Sequence, residues 1–339
     1  MKLKTLLYSV VLLLIFTNCN GPKDEAKKQV SKSTHYSIEI SDEKPLPLSS
    51  GSGITGYSSG FLVVGDDTPW MYYMDSLGVI FDSLRISNVE GYVPGIRMPG
   101  VLKPDFESII GIDKNRILIM SSGSSNAARD TAYIVNPLEK EIIFKRSMGD
   151  LFRIMADSAG FEDRHFLNIE GSSVAGKSLY YFNRGDFSGK NFIFKFNLSE
   201  FISWFVGESA TLPSFETFYI KLPSFKDSEL TFSSAYFNSE NSTFTYAASS
   251  ELGGSIGADG VVTDGVVAGT SFGFVSTDSL TKKNAFIVEP ITKNGKSIPI
   301  KIEGFWPVKQ ISESATLFYG VSDPDDGTTV LYSLIIQSK

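Results

Sequence analysis

Carboxylates recur along this chain at the start of short apolar stretches, where a buried strand is expected to begin. We call the residue at this position in each repeat the opening residue. The opening residues are Ser52, Glu107, Glu170, Glu229 and Glu303. Carboxylates that are crowded together in a partly dry site raise one another's pKa or need a cation to compensate them. The repeat therefore predicts a site with an excess of negative charge.

The chemistry of such a site depends on the ligands that the chain offers. His35 and His165 are the only histidines, so a zinc site built from several histidines is excluded. Oxygen ligands without histidine or cysteine suit a hard cation such as Ca²⁺. We therefore predict four carboxylates as candidate Ca²⁺ ligands: Glu107, Glu170, Glu229 and Glu303.

Two other roles for these carboxylates stay open. A carboxylate at a strand start can accept hydrogen bonds from backbone N–H groups and tie neighbouring strands together without binding a ligand. Alternatively, two of the carboxylates could serve as general acid and general base in a hydrolase. The residue types alone do not choose between a structural, a binding and a catalytic role.

Polar clusters follow the opening residues, at the ends of the next apolar stretches. In the first three repeats the cluster lies about 14 residues after the opening residue, as in "GDD", "SSGSS" and "NRGD". We expect both sets to face one site, which adds Asp66, Arg184 and Asp323 to the candidate ligands. Arg184 is the only cation in these clusters, and it is expected to pair with Glu170 or to orient an anionic group.

The elements that carry these residues have the length and apolar pattern of β-strands, as in "FLVVG", "RILIM" and "SLYYF". Each repeat holds about four such strands, and helical patterns are confined to Gly149–Phe161 and Ser199–Ser209. Repeated four-stranded antiparallel units are typical of a β-propeller. The first strand of each blade lines the central channel of a propeller, so the opening residues would meet at one channel mouth.

The two ends of the chain predict how the ring closes. The last repeat, from Glu303, has room for three strands, and one strand at residues 35–41 precedes the first repeat. We therefore predict an all-β propeller of five four-stranded blades over residues 35–339, in which strand 35–41 completes the last blade. Six blades are the alternative, with the extra blade between Gly253 and Ile300.

The N-terminus predicts the location of the protein. Lys2 and Lys4 precede the apolar run Leu6–Phe16, which is shorter than the ~20 residues of a membrane-spanning helix. Residues 1–18 are therefore interpreted as a signal peptide. The following "FTNCNG" resembles the lipobox of bacterial lipoproteins, which implies lipidation of Cys19, the only cysteine. Residues 19–34 are polar and predict a disordered tether to a bacterial cell-envelope membrane.

The overall charge excludes one class of partner. The net charge of -7 and the sequence pI near 5.1 argue against nucleic-acid binding, which calls for basic patches.

The paired motifs "SGI…GDD", "ESI…SSG" and "IEGS…NRGD" resemble those of phytase-like and related bacterial propellers, and most of all those of an uncharacterised family of propeller lipoproteins of Bacteroidetes type. The resemblance covers about Ser52–Ile336 and implies calcium at an acidic central face. We therefore expect a membrane-anchored propeller that binds a cation, a small molecule or a protein at its channel mouth. The alternative is a calcium-dependent hydrolase that is phytase-like or esterase-like.

Overall fold

The described part of the chain is built almost entirely from β-strands. The computed structural model describes residues 35–339 except 94–95, 125–126, 186–187, 254, 257–261, 264, 283–284 and 325, and also leaves out the side chains of residues 127, 165, 255, 256, 262 and 263. The predicted signal peptide, the lipidation of Cys19 and the tether lie outside the described residues. Residues 35–339 form one unit by their contacts. No helix among the described residues is both long and apolar enough to span a membrane.

The strands assemble into antiparallel groups of four, each with the strands side by side in chain order. The first strand, β1, spans Tyr36–Leu46 and joins the last group. Group 1 contains β2 (Gly51–Tyr57), β3 (Gly60–Gly65), β4 (Trp70–Met74) and β5 (Ile80–Arg85). Group 2 contains β6 (Phe106–Gly111), β7 (Ile117–Ser121), β8 (Thr131–Asn136) and β9 (Glu141–Ser147). Group 3 contains β10 (Ile169–Ala175), β11 (Ser178–Asn183), β12 (Asn191–Asn197) and β13 (Phe215–Ile220).

Two short ribbons interrupt the second half of the chain. The first ribbon pairs β14 (Ser224–Phe225) with β15 (Ser228–Glu229). The longer strands β16 (Thr231–Asn238) and β17 (Thr243–Leu252) follow it. The second ribbon pairs β18 (Ser255–Ile256) with β19 (Val262–Thr263). Group 4 contains β16, β17, β20 (Val266–Ser276) and β21 (Ile287–Lys293), to which β22 (Lys296–Ser297) adds a short hairpin. Group 5 contains β23 (Gly304–Ser312), β24 (Ala315–Ser322), β25 (Thr329–Ser338) and β1.

The N-terminal strand joins the two ends of the chain. β1 pairs antiparallel with β25 from Tyr36↔Ser338 to Leu46↔Thr329, which is longer than the predicted strand of residues 35–41. It also pairs in parallel with β21 at Ile38↔Ile291, so groups 4 and 5 form one continuous sheet. The segment 253–300, where an extra repeat was the alternative, supplies β20 and β21 to group 4.

The groups follow one another in a ring. The first strands β2, β6, β10, β16 and β23 contact each other in that order, and β23 contacts β2. Five hydrophobic clusters lie between neighbouring groups, including one between group 5 and group 1 that contains Leu331 and Met74. Because each group buries both of its faces against neighbours, its strands are apolar on both sides, as in "FLVV". This architecture is propeller-like.

In the described part of the chain, two α-helices lie outside the sheets. α1 (Gly149–Ser158) and α2 (Leu198–Phe205) pack on the cluster between groups 2 and 3 through residues such as Phe152 and Phe201. Three 3₁₀-turns are at Ala127–Arg129, Arg164–Phe166 and Thr277–Ser279. Both helices fall where the sequence predicts helical excursions.

Glycine allows the first strands to approach each other closely. A Cβ at Gly304 would lie 2.9 Å from the backbone N of Ile54 and the backbone O of Ser52. A Cβ at Gly171 would lie 3.0 Å from the backbone N of Ala235. The small residue that follows an opening residue is therefore a requirement of backbone packing near the axis.

Candidate functional site

The opening residues occupy a repeated irregularity of the first strands. The pairing of the first and second strands shifts by one residue between Gly51 and Gly53, between Phe106 and Ser108, and between Ile169 and Gly171. The residues left at these shifts are Ser52, Glu107 and Glu170, and all are buried. Glu303 lies directly before β23 and is 5% exposed. Because bulges re-aim a side chain, they turn these residues toward one end of the ring.

Glu229 is a correction to the sequence prediction. It lies in the short ribbon strand β15, pairs with Ser224 and is exposed, so it does not join the other opening residues. The equivalent shift in group 4 falls between Phe232 and Ser234, which makes Ser233 the opening residue of that group. The ribbon β14–β15 precedes the first strand of group 4 and carries Glu229, the acid that the sequence pattern favours. The set at this end is Ser52, Glu107, Glu170, Ser233 and Glu303.

The two serines tie neighbouring groups together. The hydroxyl of Ser52 donates a hydrogen bond to the backbone carbonyl of Phe106 in group 2. The hydroxyl of Ser233 donates to the backbone carbonyl of Ile302, next to group 5, at 2.7 Å. A structural tie is therefore the role of the serines at this position.

The polar residues after the second strands lie beside the opening residues. The backbone N of Asp66 donates to the carbonyl of Ser50 at 2.9 Å, and that of Arg184 donates to the carbonyl of Asn168 at 2.8 Å. Asp323, at the end of β24, is buried at 1% exposure. Together with charged neighbours these residues form what we call the mouth cluster. Its members are Asp66, Asp67, Lys103, Asp105, Glu107, Glu170, Arg184, Glu251, Lys301, Glu303 and Asp323, with Arg97 and Arg129 at its rim.

One half of the mouth cluster is a chain of alternating charges. Arg184 contacts Glu170 at 3.2 Å and also Glu251. Lys301 contacts Glu251 at 3.3 Å and Glu303 at 2.7 Å. Because these residues come from groups 3, 4 and the start of group 5, the chain of ion pairs links three consecutive groups. The predicted pairing of Arg184 with Glu170 is present.

The other half contains a buried lysine among aspartates. The ammonium of Lys103 contacts the carboxylate of Asp66 and lies 3.4 Å from that of Asp105. Asp105 also contacts Arg129 at 3.2 Å and accepts a hydrogen bond from Ser122. Asp67 accepts hydrogen bonds from the hydroxyl of Ser50 at 2.9 Å and the backbone N of Met98 at 3.0 Å. Asp67 and Asp105 are therefore well compensated.

Glu107 is not compensated in this way. Its carboxylate forms no side-chain hydrogen bond and no ion pair with any residue in the described part of the chain, although the residue is only 7% exposed. One oxygen of Asp66, Oδ1, and one oxygen of Glu303, Oε2, are also buried without a hydrogen-bond partner among the described residues. Carboxylates outnumber basic groups in the mouth cluster even with its two rim arginines included. Among these three acids, Asp66 and Glu303 each have one oxygen in an ion pair, with Lys103 and Lys301 respectively, so Glu107 is the least compensated.

The pKa values follow this imbalance. Burial raises the pKa of Glu107 well above its usual value, and the neighbouring carboxylates of Glu170 and Asp105 raise it further. Burial also raises the pKa of Asp66 to about 8, although the Lys103 ammonium opposes this. Burial alone would raise the pKa of Glu251, but Arg184 and Lys301 together lower it to about 2. The two halves of the mouth cluster therefore differ in how well their acids are compensated.

Two groups of three carboxylates have the spacing that a single cation requires. Ligand oxygens of Asp66, Asp105 and Glu107 all lie within 4.8 Å of one another, and so do those of Asp66, Asp67 and Asp323. Asp66 belongs to both groups. The geometry allows a hard cation to be held by carboxylate oxygens at this end of the ring.

The space below the mouth cluster is small. A cavity of about 10 Å³ lies between the first strands and is lined by residues such as Gly53, Glu107, Glu170 and Trp306. A cavity of that size holds about one water molecule. This cavity therefore has room for an ion or a water beside the carboxylates.

Several residues of the mouth cluster were not singled out from the sequence. Asp105 and Lys301 both stand two residues before an opening residue, Glu107 and Glu303 respectively. That shared spacing is the sequence signal that marks both residues. Lys103 comes from a connecting segment, and no local pattern places its side chain at the ring axis. Glu251 lies near the end of β17, the second strand of group 4, where the repeat places a polar cluster.

Comparison with known proteins identifies a family for this chain. Residues 47–336 match the model of a family of unknown function, DUF6929, and the chain belongs to this family. No curated protein matches the chain significantly.

The solved structures that match this chain share little of its sequence. Hydrazine synthase of Kuenenia stuttgartiensis is 12% identical to this chain, with a TM-score of 0.38. The match covers 84% of this chain and 66% of the hydrazine synthase chain. This chain therefore spans less than two thirds of the length of that protein. A DUF4221 family member from Bacteroides vulgatus is 12% identical with a TM-score of 0.32, covering 87% of this chain and 80% of that one. A putative exported protein from Bacteroides fragilis is 9% identical with a TM-score of 0.35, covering 90% and 95%.

Proposed function

We propose that this protein is a lipid-anchored β-propeller of the bacterial cell envelope that binds a divalent cation, with Ca²⁺ as the expected ion, in its mouth cluster. Each four-stranded group is one blade in this proposal, which gives five blades with β1 as the outer strand of the last. The cyclic order of the first strands and the five hydrophobic clusters between groups support this count.

The observation that carries the cation proposal is the Glu107 carboxylate, which has no ion pair among the described residues, beside the unpartnered Oδ1 of Asp66. Asp66 Oδ1 is buried without a partner among the described residues, and a carboxylate oxygen of Asp66 lies within 4.8 Å of ligand oxygens of Glu107 and Asp105. An isolated buried carboxylate is costly unless it is paired, protonated or bound to a metal. A divalent cation would remove this cost at a point where carboxylates from group 1 and from the start of group 2 converge.

The choice of ion follows from the ligand set. All candidate ligands are carboxylate oxygens, which favour hard cations over zinc or copper. Ca²⁺ accepts irregular oxygen cages, whereas Mg²⁺ demands near-octahedral geometry and keeps several waters. The aspartates and Glu107 come from different strands and loops, an irregular arrangement that favours Ca²⁺. Glu303, with its unpartnered Oε2, is the next carboxylate available to such an ion.

The experiment is a calcium titration of protein that has been freed of metal with EDTA. Sites of this kind outside the cytosol bind with Kd values of about 10⁻⁴–10⁻³ M. Ca²⁺ at ten times its Kd should stabilise the protein by about 1.4 kcal/mol, which raises Tm by about 2–4 °C.

The titration is repeated with two site variants and a matched control. Glu107→Gln and Asp66→Asn should abolish the rise in Tm, because each removes a carboxylate from the site. Glu229→Gln makes the same chemical change at an exposed residue outside the mouth cluster and should retain the rise. If Glu107→Gln responds to Ca²⁺ as the wild type does, the mouth cluster is not the site.

The anchoring part of the proposal is tested separately. It is supported by the apolar run Leu6–Phe16 and the lipobox-like "FTNCNG". The wild-type protein should incorporate a radiolabelled fatty acid and sediment with membranes. The Cys19→Ala variant should do neither; equal membrane sedimentation of both proteins would contradict lipidation at Cys19.

A hydrolase is the second candidate, and one observation favours it. Acids with well-separated pKa values in one site can divide the roles of general acid and general base, and here burial raises the pKa of Glu107 while Glu251 has a pKa of about 2. Calcium-dependent hydrolysis of p-nitrophenyl phosphate or p-nitrophenyl acetate, lost in Glu107→Gln, would support this role. Absence of turnover with both substrates would leave binding as the better account.

A further inference from the structure

Lys103 holds a position in the mouth cluster that a metal ion would otherwise take. Its side chain is buried at 7% exposure, and its ammonium contacts Asp66 and lies 3.4 Å from Asp105. Both aspartates belong to the carboxylate group that also contains Glu107. The lysine enters from a turn in which its backbone N donates to the carbonyl of Pro99. A tethered positive charge is thus built into the cation site itself.

Asp66 is shared between this ammonium and the space that an ion would occupy. Lys103 contacts its Oδ2, while Oδ1 has no hydrogen-bond partner among the residues that the structure describes. A divalent cation at Oδ1 would therefore lie a few ångströms from the ammonium. Like charges at that distance repel strongly in a buried site, because the effective dielectric constant there is low.

The second buried lysine shows that the situation of Lys103 is particular. Lys301 is as deeply buried, at 5% exposure, and contacts Glu251 and Glu303. Neither of these glutamates belongs to a carboxylate triplet with cation-binding spacing among the described residues. Lys301 therefore completes a chain of ion pairs, whereas Lys103 occupies part of a potential metal site.

We propose that Lys103 is an internal cation that competes with Ca²⁺ for Asp66 and Asp105 and so sets the affinity of the site. This inference rests on the proposed function. Cation binding then requires the Lys103 ammonium to move away from Asp66. Removing this positive charge lowers the Kd for Ca²⁺. The expected gain is about tenfold in Kd or more for a variant without the ammonium.

The first test uses the wild-type protein and measures whether calcium exposes the lysine. Acetylation by acetic anhydride, quantified at each lysine by mass spectrometry, should be slow at Lys103 in EDTA and several-fold faster in saturating CaCl₂. Lys301 is the internal control because it is equally buried and does not touch the site triplet. Its acetylation rate should be the same in both conditions. Equal rates at Lys103 with and without Ca²⁺, in a protein that binds Ca²⁺ by calorimetry, would overturn the competition.

The second test compares Lys103→Met with Lys103→Arg. The methionine variant should have a lower Tm than the wild type in EDTA, since Asp66 and Asp105 lose their counter-charge, and should bind Ca²⁺ about tenfold more tightly. The arginine variant keeps the charge and should bind Ca²⁺ as weakly as the wild type does. If the methionine variant does not fold, the acetylation experiment decides alone.

The outcomes separate the two proposals. Calcium binding by Lys103→Met but not by the wild type would support the role of Lys103 and overturn calcium binding as the natural function. Binding by both proteins with equal Kd would overturn the role of Lys103 and leave the proposed function standing. Binding by neither protein would overturn both.

Discussion

Glu251 offers the sharpest test of the electrostatics, because its two cationic partners lower its pKa from 4.5 to about 2 despite burial. Arg184 contacts its carboxylate, and Lys301 lies 3.3 Å from it. A fall of that size in pKa is worth about 3 kcal/mol, since each pKa unit corresponds to about 1.4 kcal/mol. Glu251→Gln should therefore lower the free energy of unfolding at pH 7.5 by about 3 kcal/mol. The loss of stability should be larger if Arg184 and Lys301 remain buried without this counter-charge.

The same carboxylate predicts a pH dependence with a definite sign. The folded-state pKa of Glu251 is depressed, so its stabilising contribution is complete above the unfolded-state value of 4.5 and is lost as the pH falls toward about 2. The wild type should lose about 3 kcal/mol through this residue between those pH values. The Glu251→Gln variant should not show this loss of stability on acidification.

Urea unfolding at pH 7.5, 4.5 and 3 measures both effects. Glu229→Gln is the matched control, because Glu229 is exposed and the substitution is the same. It should change the free energy of unfolding by less than about 0.5 kcal/mol. A Glu251→Gln variant as stable as this control at pH 7.5 would refute the argument that the ion pairs of Arg184 and Lys301 stabilise the fold.

Three further predictions concern the ring and its acids. Gly304→Ala should destabilise the protein by about 2 kcal/mol or more in urea unfolding, because the new Cβ would lie 2.9 Å from backbone atoms of the neighbouring strand. An unchanged urea midpoint would show that the two strands can move apart without loss of stability. In EDTA, Glu107→Gln should melt at the same temperature as the wild type or higher, since it removes an uncompensated buried acid, and a fall of several degrees would indicate a partner for Glu107. The pKa of Asp66 is raised from 3.8 to about 8 in the folded protein. Its contribution to stability is therefore complete below pH 3.8 and is lost as the pH rises to about 8. In EDTA the Tm of the wild type should fall between about pH 6 and about pH 8.5, and that of Asp66→Asn should fall less.

Local sequence patterns predicted the architecture because propeller-like folds repeat a short unit. The apolar strands and the returning N-terminal strand could be read from alternation and spacing. The sequence pattern predicts the helical segment from Ser199, whereas α2 begins one residue earlier at Leu198, because Asn197 caps the helix by accepting from the backbone N of Ser199 at 3.0 Å. Both residues are common helix caps, and only the turn geometry decides between them.

The fourth opening residue was missed for a related reason. Ser233 follows Phe232 and precedes Ser234, just as Glu170 follows Ile169 and precedes Gly171. An apolar residue before and a small residue after mark the position better than the acid itself. Because Glu229 lacks the small residue after it, the full pattern would have rejected it.

The composition of the site was less accessible to sequence reasoning. The acids of the first strands follow from the repeat, but Lys103 reaches the site from a connecting segment whose conformation no repeat specifies, and Glu251 reaches it from the end of β17. Because of Lys103 and Glu251, the site is not a ring of like charges but two halves that differ in how well their carboxylates are compensated. One half, from Glu170 to Glu303, is compensated by Arg184 and Lys301, and the other keeps an excess of negative charge.

Isothermal titration calorimetry with CaCl₂ tests the central claim most directly. The account predicts about one site per wild-type chain, with a Kd of about 10⁻⁴–10⁻³ M. This heat signal should be absent in Glu107→Gln and retained in Glu229→Gln. A wild-type protein that gives no calcium-binding heat in this range, or a Glu107→Gln variant that binds as the wild type does, would contradict the proposal.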